Sequence, residues 1–219
     1  VFLSIISSYF LFRFLTEKKY LCGVVFAAAT ILGFYADQTY YYLFLFFAQF
    51  IALQIFSNRA QRLKFFLFFC LITVLSYLRL DYFFEKFLTV KQGFWIPAPN
   101  WETVVFTFEN FNLGYNAWGW LYRLSHLLVI AIIFFGALVL KENSAQRKNI
   151  FFIATLLFLP LVLIFIFSRL FFPIYLSRGL IIFSPYYYLL LCCFFDLMAG
   201  RWFKRLIGYG VLAVLVISV

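Results

Sequence analysis

The sequence predicts an all-α fold, a polytopic transmembrane helix bundle, and three observations carry that expectation. Of 219 residues, 66 % are hydrophobic and only 12 % are charged, against roughly half and a quarter in an average soluble domain. The apolar residues fall in long runs, many near the 17 to 25 residues that a helix needs to cross hydrocarbon. Basic residues gather in every second connection between those runs, which is how positive charge fixes the orientation of membrane helices.

The runs lie at about 1–15, 20–36, 39–57, 65–80, 120–140, 150–169, 179–199 and 206–219. They predict about eight crossings in one transmembrane domain over 1–219. Arg13, Lys18 and Lys19 follow the first run, and Arg59, Arg62 and Lys64 follow the third. Lys141, Arg147 and Lys148 follow the fifth, and Arg201, Lys204 and Arg205 follow the seventh. Twelve of the 18 basic residues therefore share one side, which the positive-inside rule makes cytoplasmic. Both ends of the chain then lie on the outer side. The first run has no preceding basic residues and no following small-residue cleavage site, so it does not read as a signal peptide. The chain opens on Val1 rather than Met and reads as part of a longer protein.

Composition also excludes. A net charge of +10 suggests nucleic acid in a soluble chain, but short basic clusters between apolar runs are topology determinants instead. Cys22, Cys70, Cys192 and Cys193 lie in apolar runs without metal-ligand spacing, so neither a zinc site nor a structural disulfide is expected. The 35 phenylalanines lie inside long apolar stretches, not in a short-period repeat, which excludes low complexity.

The longest non-membrane stretch, about 81–119, falls on the outer side. Pro97 and Pro99 break any helix there. Asn100 can cap a new one, with Glu102 in its first turn. Val104, Val105, Phe108 and Phe111 recur at helical spacing, which predicts one short amphipathic helix over 101–111 at the outer interface. Trp95, Trp101, Trp118 and Trp120 surround it, as in a headgroup-level aromatic belt.

Ionisable residues within or beside membrane segments are costly and so are candidates for function. Asp37 lies in the outer turn between the second and third runs. It could face a cavity and touch a sugar hydroxyl, a metal or an arginine, or simply cap the helix near Thr39. Arg79, Asp81 and Glu85 sit at the outer end of the fourth run, either as an acid–base site or as a solvated helix end. Arg123 and His126 are three apart at the outer end of the fifth run and share a face, where they could contact phosphate or sugar. Arg169 ends the sixth run and Arg178 opens the seventh. A guanidinium forks onto phosphate oxygens, so Arg178 at an outer helix end is suited to a lipid phosphate; the alternative is snorkelling to ordinary headgroups. Pro185 can re-aim the start of that helix. The sequence holds no phosphate-cradling glycine loop, zincin motif or nucleophile elbow.

Three stretches give the chain a resemblance to the GT-C superfamily of membrane glycosyltransferases, in its family-39-like branch of protein O-mannosyltransferase and aminoarabinose-transferase relatives. Leu32-Gly33-Phe34-Tyr35 followed by Tyr40 to Gln49 is similar to that family's glycine–leucine–tyrosine turn, with its apolar helix ending in alanine–glutamine. Phe94 to Trp101 is similar to its tryptophan and paired prolines before an outer interfacial helix. Ser177-Arg178-Gly179 to Pro185 is similar to its arginine–tyrosine–leucine start of a late helix. The likeness spans nearly the whole chain in order. It departs at Asp37, where many relatives carry histidine, and at Gly179, where they carry tyrosine.

The resemblance implies a transferase that moves a hexosyl or pentosyl unit from a polyprenyl-phosphate carrier to an acceptor on the outer face, with a bacterial plasma membrane as its expected location. It implies Arg178 as the phosphate-holding residue. Arg169, Arg123, His126 and Asp37 join it as candidates from location, and an outer cavity lined by Arg178, Arg123, His126 and Asp37, with an apolar groove for the polyprenyl tail, is expected. The family's catalytic base lies in an outer loop upstream of Val1, so no catalytic residue is assigned here. No cofactor is implied; some branches use a divalent metal, and no ligand set in this sequence argues for one. Expected partners are the lipid-linked sugar and the bilayer, with no nucleic acid. Two other classes compete: a lipid or solute transporter or flippase, for which Pro160 in the sixth run is the best sign, and a non-catalytic membrane assembly subunit.

Overall fold

The computed structural model describes residues 1–35, 39–76, 97–114, 117–140, 144–171, 173–197 and 208–210. Among them the secondary structure is helical, without a strand. The longer helices are α1 (Phe2–Glu17), α2 (Tyr20–Phe34), α3 (Thr39–Phe56), α4 (Arg59–Leu75), α5 (Trp101–Leu113), α6 (Gly119–Leu140), α7 (Ser144–Leu170) and α8 (Ser184–Leu197). A 3-10 turn over Gly179–Phe183 precedes α8. Two compact units result, Val1–Pro99 with Thr155–Phe183, and Asn100–Ala154 with Ser184–Val219.

The first unit is organised around α3. Tyr41, Leu45, Ala48 and Ala52 are buried on one side of it and Tyr42, Phe46, Gln49 and Leu53 on the next. A helix apolar over so wide an arc must be enclosed. The small residues Ala48 and Ala52 let neighbours approach closely. Phenylalanine fills the rest. Phe69 of α4 stacks on Phe46 at 4.7 Å between ring centroids and meets Phe26 at 5.6 Å and Phe50 at 5.2 Å. Such pairs add about 0.5–1.5 kcal/mol each beyond the area they bury.

At the turn between α1 and α2 the chain reverses at Lys18, whose φ of 54° is left-handed and closes α1 by an N–H bond to the Phe14 carbonyl. Arg13 grips Glu17 through Nε at 2.6 Å and Nη2 at 2.8 Å, and Lys19 Nζ lies 3.0 Å from the same carboxylate. The Arg13 hydrogen bond first, and that of Lys19 second, hold the Glu17 carboxyl at about 2. A depressed carboxylate pKa stabilises the fold above the ordinary carboxylate range, and that contribution disappears as pH falls toward 2. Carboxyl-detected NMR should find Glu17 ionised throughout pH 4 to 8. Arg13→Ala should return its midpoint toward the ordinary value of about 4.3; a midpoint unmoved by Arg13→Ala would show that the fork does not form.

The second unit contains α5, α6 and α8. Asn100 caps α5 in a reciprocal box: its Oδ1 accepts from the Thr103 amide at 2.9 Å, and Thr103 Oγ1 accepts from the Asn100 amide at 3.2 Å. This agrees with the cap read from the sequence. The buried face is narrower than expected, because Thr107 and Phe111 are buried, Val104 and Phe108 are half-buried, and Val105 faces outward. α5 ends at Gly114, whose φ of 75° is one that side-chain-bearing residues rarely adopt. Tyr122 Oη donates to the Gly114 carbonyl at 2.6 Å and fastens this turn to α6.

The helices begin or end differently from the apolar runs in places. α4 starts at Arg59 and α7 at Ser144, each about six residues before its run, because polar residues extend a helix beyond its apolar part. The helix expected over 179–199 starts as a 3-10 turn, and the α-helix begins only at Ser184 with Pro185 in its first turn, where a missing N–H costs nothing. Residues 81–96 and most of the run at 206–219 lie outside the described residues.

Among the described residues two helical stretches are long and apolar enough to cross a membrane, Gln146–Leu170 and Gly179–Leu197. Tyr20–Phe34, Tyr41–Phe56 and Gly119–Phe134 are apolar but shorter; fifteen residues at 1.5 Å each reach only about 22 Å. Of the most apolar window of Gln146–Leu170, 39 % is buried, and Phe151, Phe158, Val162 and Ile166 are exposed along the helix. On α6, Leu124, Leu127, Ile130, Phe134 and Leu138 form an exposed stripe at helical spacing. Contiguous apolar surface of this kind marks contact with lipid or protein.

Candidate functional site

Arg178 is exposed and lies in the turn just before Gly179–Phe183. The segment that carries it is fixed from several directions. Tyr41 Oη donates to the Ile174 carbonyl at 2.8 Å, and the Tyr41 ring lies over Gly179, where a Cβ would run into it. The Tyr175 amide donates to Ser168 Oγ at 2.9 Å, and Ser4 Oγ approaches the Ile182 carbonyl at 3.4 Å. An exposed guanidinium thus projects from backbone held by α1, α3 and α7, which is the way a binding residue is kept in place on a rigid scaffold.

This arrangement explains one departure noted in the sequence. A tyrosine at 179 has no space, because the ring of Tyr41 already occupies it. The adjacent Tyr42 repeats the device against α2: its ring fills the space a Cβ would take at Gly33. Its hydroxyl lies 3.0 Å from the Leu3 carbonyl and 3.1 Å from Ser7 Oγ. Gln49, two turns further along α3, donates through Nε2 to Ser7 Oγ and Ser8 Oγ, both at 2.9 Å. Its Oε1 is buried with no partner among the described residues.

Arg169 is exposed in the last turn of α7, with its guanidinium carbon 5.9 Å from the centroid of the Phe165 ring. The cation also complements the negative end of the helix. Arg169 and Arg178 belong to the first unit, whereas Arg123, exposed, and His126, half-buried, stand one turn apart on α6 in the second. Asp37, Arg79, Asp81, Glu85 and Trp95 lie outside the described residues. Among the described residues no three His, Cys, Asp or Glu side chains gather as a metal site would require.

The second unit holds a cavity of about 510 Å³ between the end of α5, α6 and α8. Ser125, Leu128, Val129 and Ile132 line it from α6, and Tyr188, Leu191, Cys192 and Phe195 from α8. Both sets follow i, i+3, i+4, i+7 spacing, so each is one helix face. Asn112 and Leu113 close one part, and Asp196 with Gly208 another. Arg123 and His126 are not among its lining residues.

Sequence reading passed over this cavity and the tyrosine seats. The stripe from Ser125 to Ile132 was legible as a polar residue opening an apolar face. Nothing in sequence alone pairs Tyr41 with Gly179 or Tyr42 with Gly33. No protein-family model, curated protein or solved structure matches the chain.

Proposed function

We propose that the chain is part of a multi-pass membrane glycosyltransferase that takes a sugar from a polyprenyl-phosphate carrier on the outer face of a bacterial plasma membrane. The observation that carries this reading is Arg178, exposed on backbone clamped by Tyr41, Ser168 and Ser4. Two of the three stretches that resemble the GT-C family, Tyr40–Gln49 and Ser177–Pro185, are joined by that clamp. In the reaction an acceptor hydroxyl attacks the anomeric carbon as the bond to the carrier phosphate breaks. Arg178 holds the departing phosphate through paired N–H donors, so that its growing charge is stabilised. The hydroxyl proton passes to a general base, a role assigned to no residue here.

In this reading about eight helices cross the bilayer, with the basic turns cytoplasmic. The exposed cations Arg59, Arg62 and Lys64 at the start of α4 and Arg147 and Lys148 at the start of α7 fit that side. Helix α5 lies at the outer interface, with the exposed rings of Trp101, Trp118 and Trp120 at headgroup level. A transporter would be expected to break a helix near mid-membrane, but α7 continues through Pro160 from Ser144 to Leu170.

The test is binding of a polyprenyl phosphate to the purified chain in lipid nanodiscs. Arg178→Ala should weaken it at least tenfold, about 1.4 kcal/mol, and Arg178→Lys should recover only part, because an ammonium keeps the charge and loses the fork. Binding that is absent, or indifferent to both substitutions, would remove the basis for the assignment.

A further inference from the structure

We infer that the cavity between α6 and α8 binds a slim, uncharged amphiphile, an unbranched hydrocarbon chain ending in a hydroxyl. The site is independent of Arg178 and of the transferase reading.

Size comes first. Interiors normally close at crystal-like density, and apolar voids of about 150 Å³ already stay dry and take up apolar molecules. At about 510 Å³ this cavity falls among small-molecule sites, which run from about 300 to 1,000 Å³. Its shape follows from its walls. From Ser125 to Ile132 the α6 face advances seven residues, about 10 Å at 1.5 Å per residue, and the α8 face from Tyr188 to Phe195 is equally long. Between those ends the walls are predominantly apolar, which suits a methylene chain.

The polar groups at one end select the head. Asn112 Nδ2 donates to Ser125 Oγ at 3.3 Å, and Asn112 Oδ1 accepts from Tyr187 Oη at 2.6 Å. One amide N–H of Asn112 therefore has no partner among the described residues. Ser125 Oγ donates to the Tyr122 carbonyl at 2.8 Å, and Tyr188 Oη donates to the Phe111 carbonyl, so each oxygen retains acceptor capacity. A hydroxyl, which both donates and accepts, matches this set. An anionic head does not: the described lining contains no cation to pair with it, and a charge taken out of water without a partner is costly.

The experiment is photolabelling of the full chain in nanodiscs with 1-dodecanol carrying a diazirine near its methyl end, followed by peptide mapping. Labels are expected at Leu128–Ile132 and Leu191–Phe195. Excess 1-dodecanol should suppress them at least fivefold, and dodecane or dodecyl phosphate should do so far less. Ile132→Trp, which fills the cavity, should abolish the labels. Ser125→Ala, which removes one acceptor without adding bulk, should weaken competition by the alcohol two- to fivefold. Three results would overturn the inference: unsaturable labels along the outward stripe of Leu127, Ile130 and Phe134; equal competition by dodecyl phosphate; or no label at Ile132 and Phe195, the result expected if other parts of the protein fill the space.

Discussion

Replacing Gly179 by alanine should destabilise the protein by roughly 3 kcal/mol, the upper end of the cost of overpacking a well-filled site. The added methyl runs into the ring of Tyr41, and that ring cannot easily retreat. It is fully buried, and its hydroxyl is tied to the Ile174 carbonyl. If the ring moves, the hydrogen bond is lost as well, a further loss of about 1 kcal/mol. The measurement is thermal unfolding in a mild detergent, read together with polyprenyl-phosphate binding. Both should fall, because the segment that shifts is the one that carries Arg178. Tyr41→Leu in the alanine background clears the collision and should recover part of the stability. Wild-type stability in Gly179→Ala would mean that the ring does not occupy this seat.

Gly33→Ala should be of similar size, roughly 3 kcal/mol, with a different signature. Here the collision is with Tyr42, whose hydroxyl reaches the Leu3 carbonyl and Ser7. The damage falls on the packing of α1, α2 and α3. Unfolding temperature should drop as for Gly179→Ala, but phosphate binding by the fraction that remains folded should change less than twofold. Equal loss of binding in the two variants would contradict separate roles for the adjacent tyrosines.

The parts of the fold that the sequence made legible are those governed by local rules. Long apolar runs gave the helices, and Asn100, with Glu102 in the first turn, gave the start of α5, because a cap is set by residues within one turn of the helix start. Gly114 and Tyr122 show where that stops. The turn they build needs a positive φ and a hydroxyl from the next helix, and neither has a strong local signature. Pairings between distant residues were not legible at all. Gly179 was noticed as a departure from a family pattern, and only the ring of Tyr41, 138 positions away by subtraction, gives the physical reason. Arg123 and Arg178 show the same limit for the site. Each was chosen for its charge and its place at a helix end, and they fall in different units. The cavity escaped because its polar residues, Asn112, Ser125 and Tyr188, are unremarkable singly and matter only where three helices bring them together.

The anchors of α3 also constrain how this protein can change over evolutionary time. Tyr41 is tied to Ile174, whereas Tyr42 and Gln49 both reach Ser7 from positions two turns apart, so α3 cannot roll about its axis without losing one of these bonds. A single residue inserted between Tyr42 and Gln49 would swing Gln49 by about 100° away from Ser7 and Ser8. Within this interval, length changes of one residue are incompatible with the fold, whereas substitutions that keep the spacing are not. Drift in this chain should therefore show as exchanges of side chain inside α3, with gains and losses of residues confined to positions before Tyr41 or beyond Leu53.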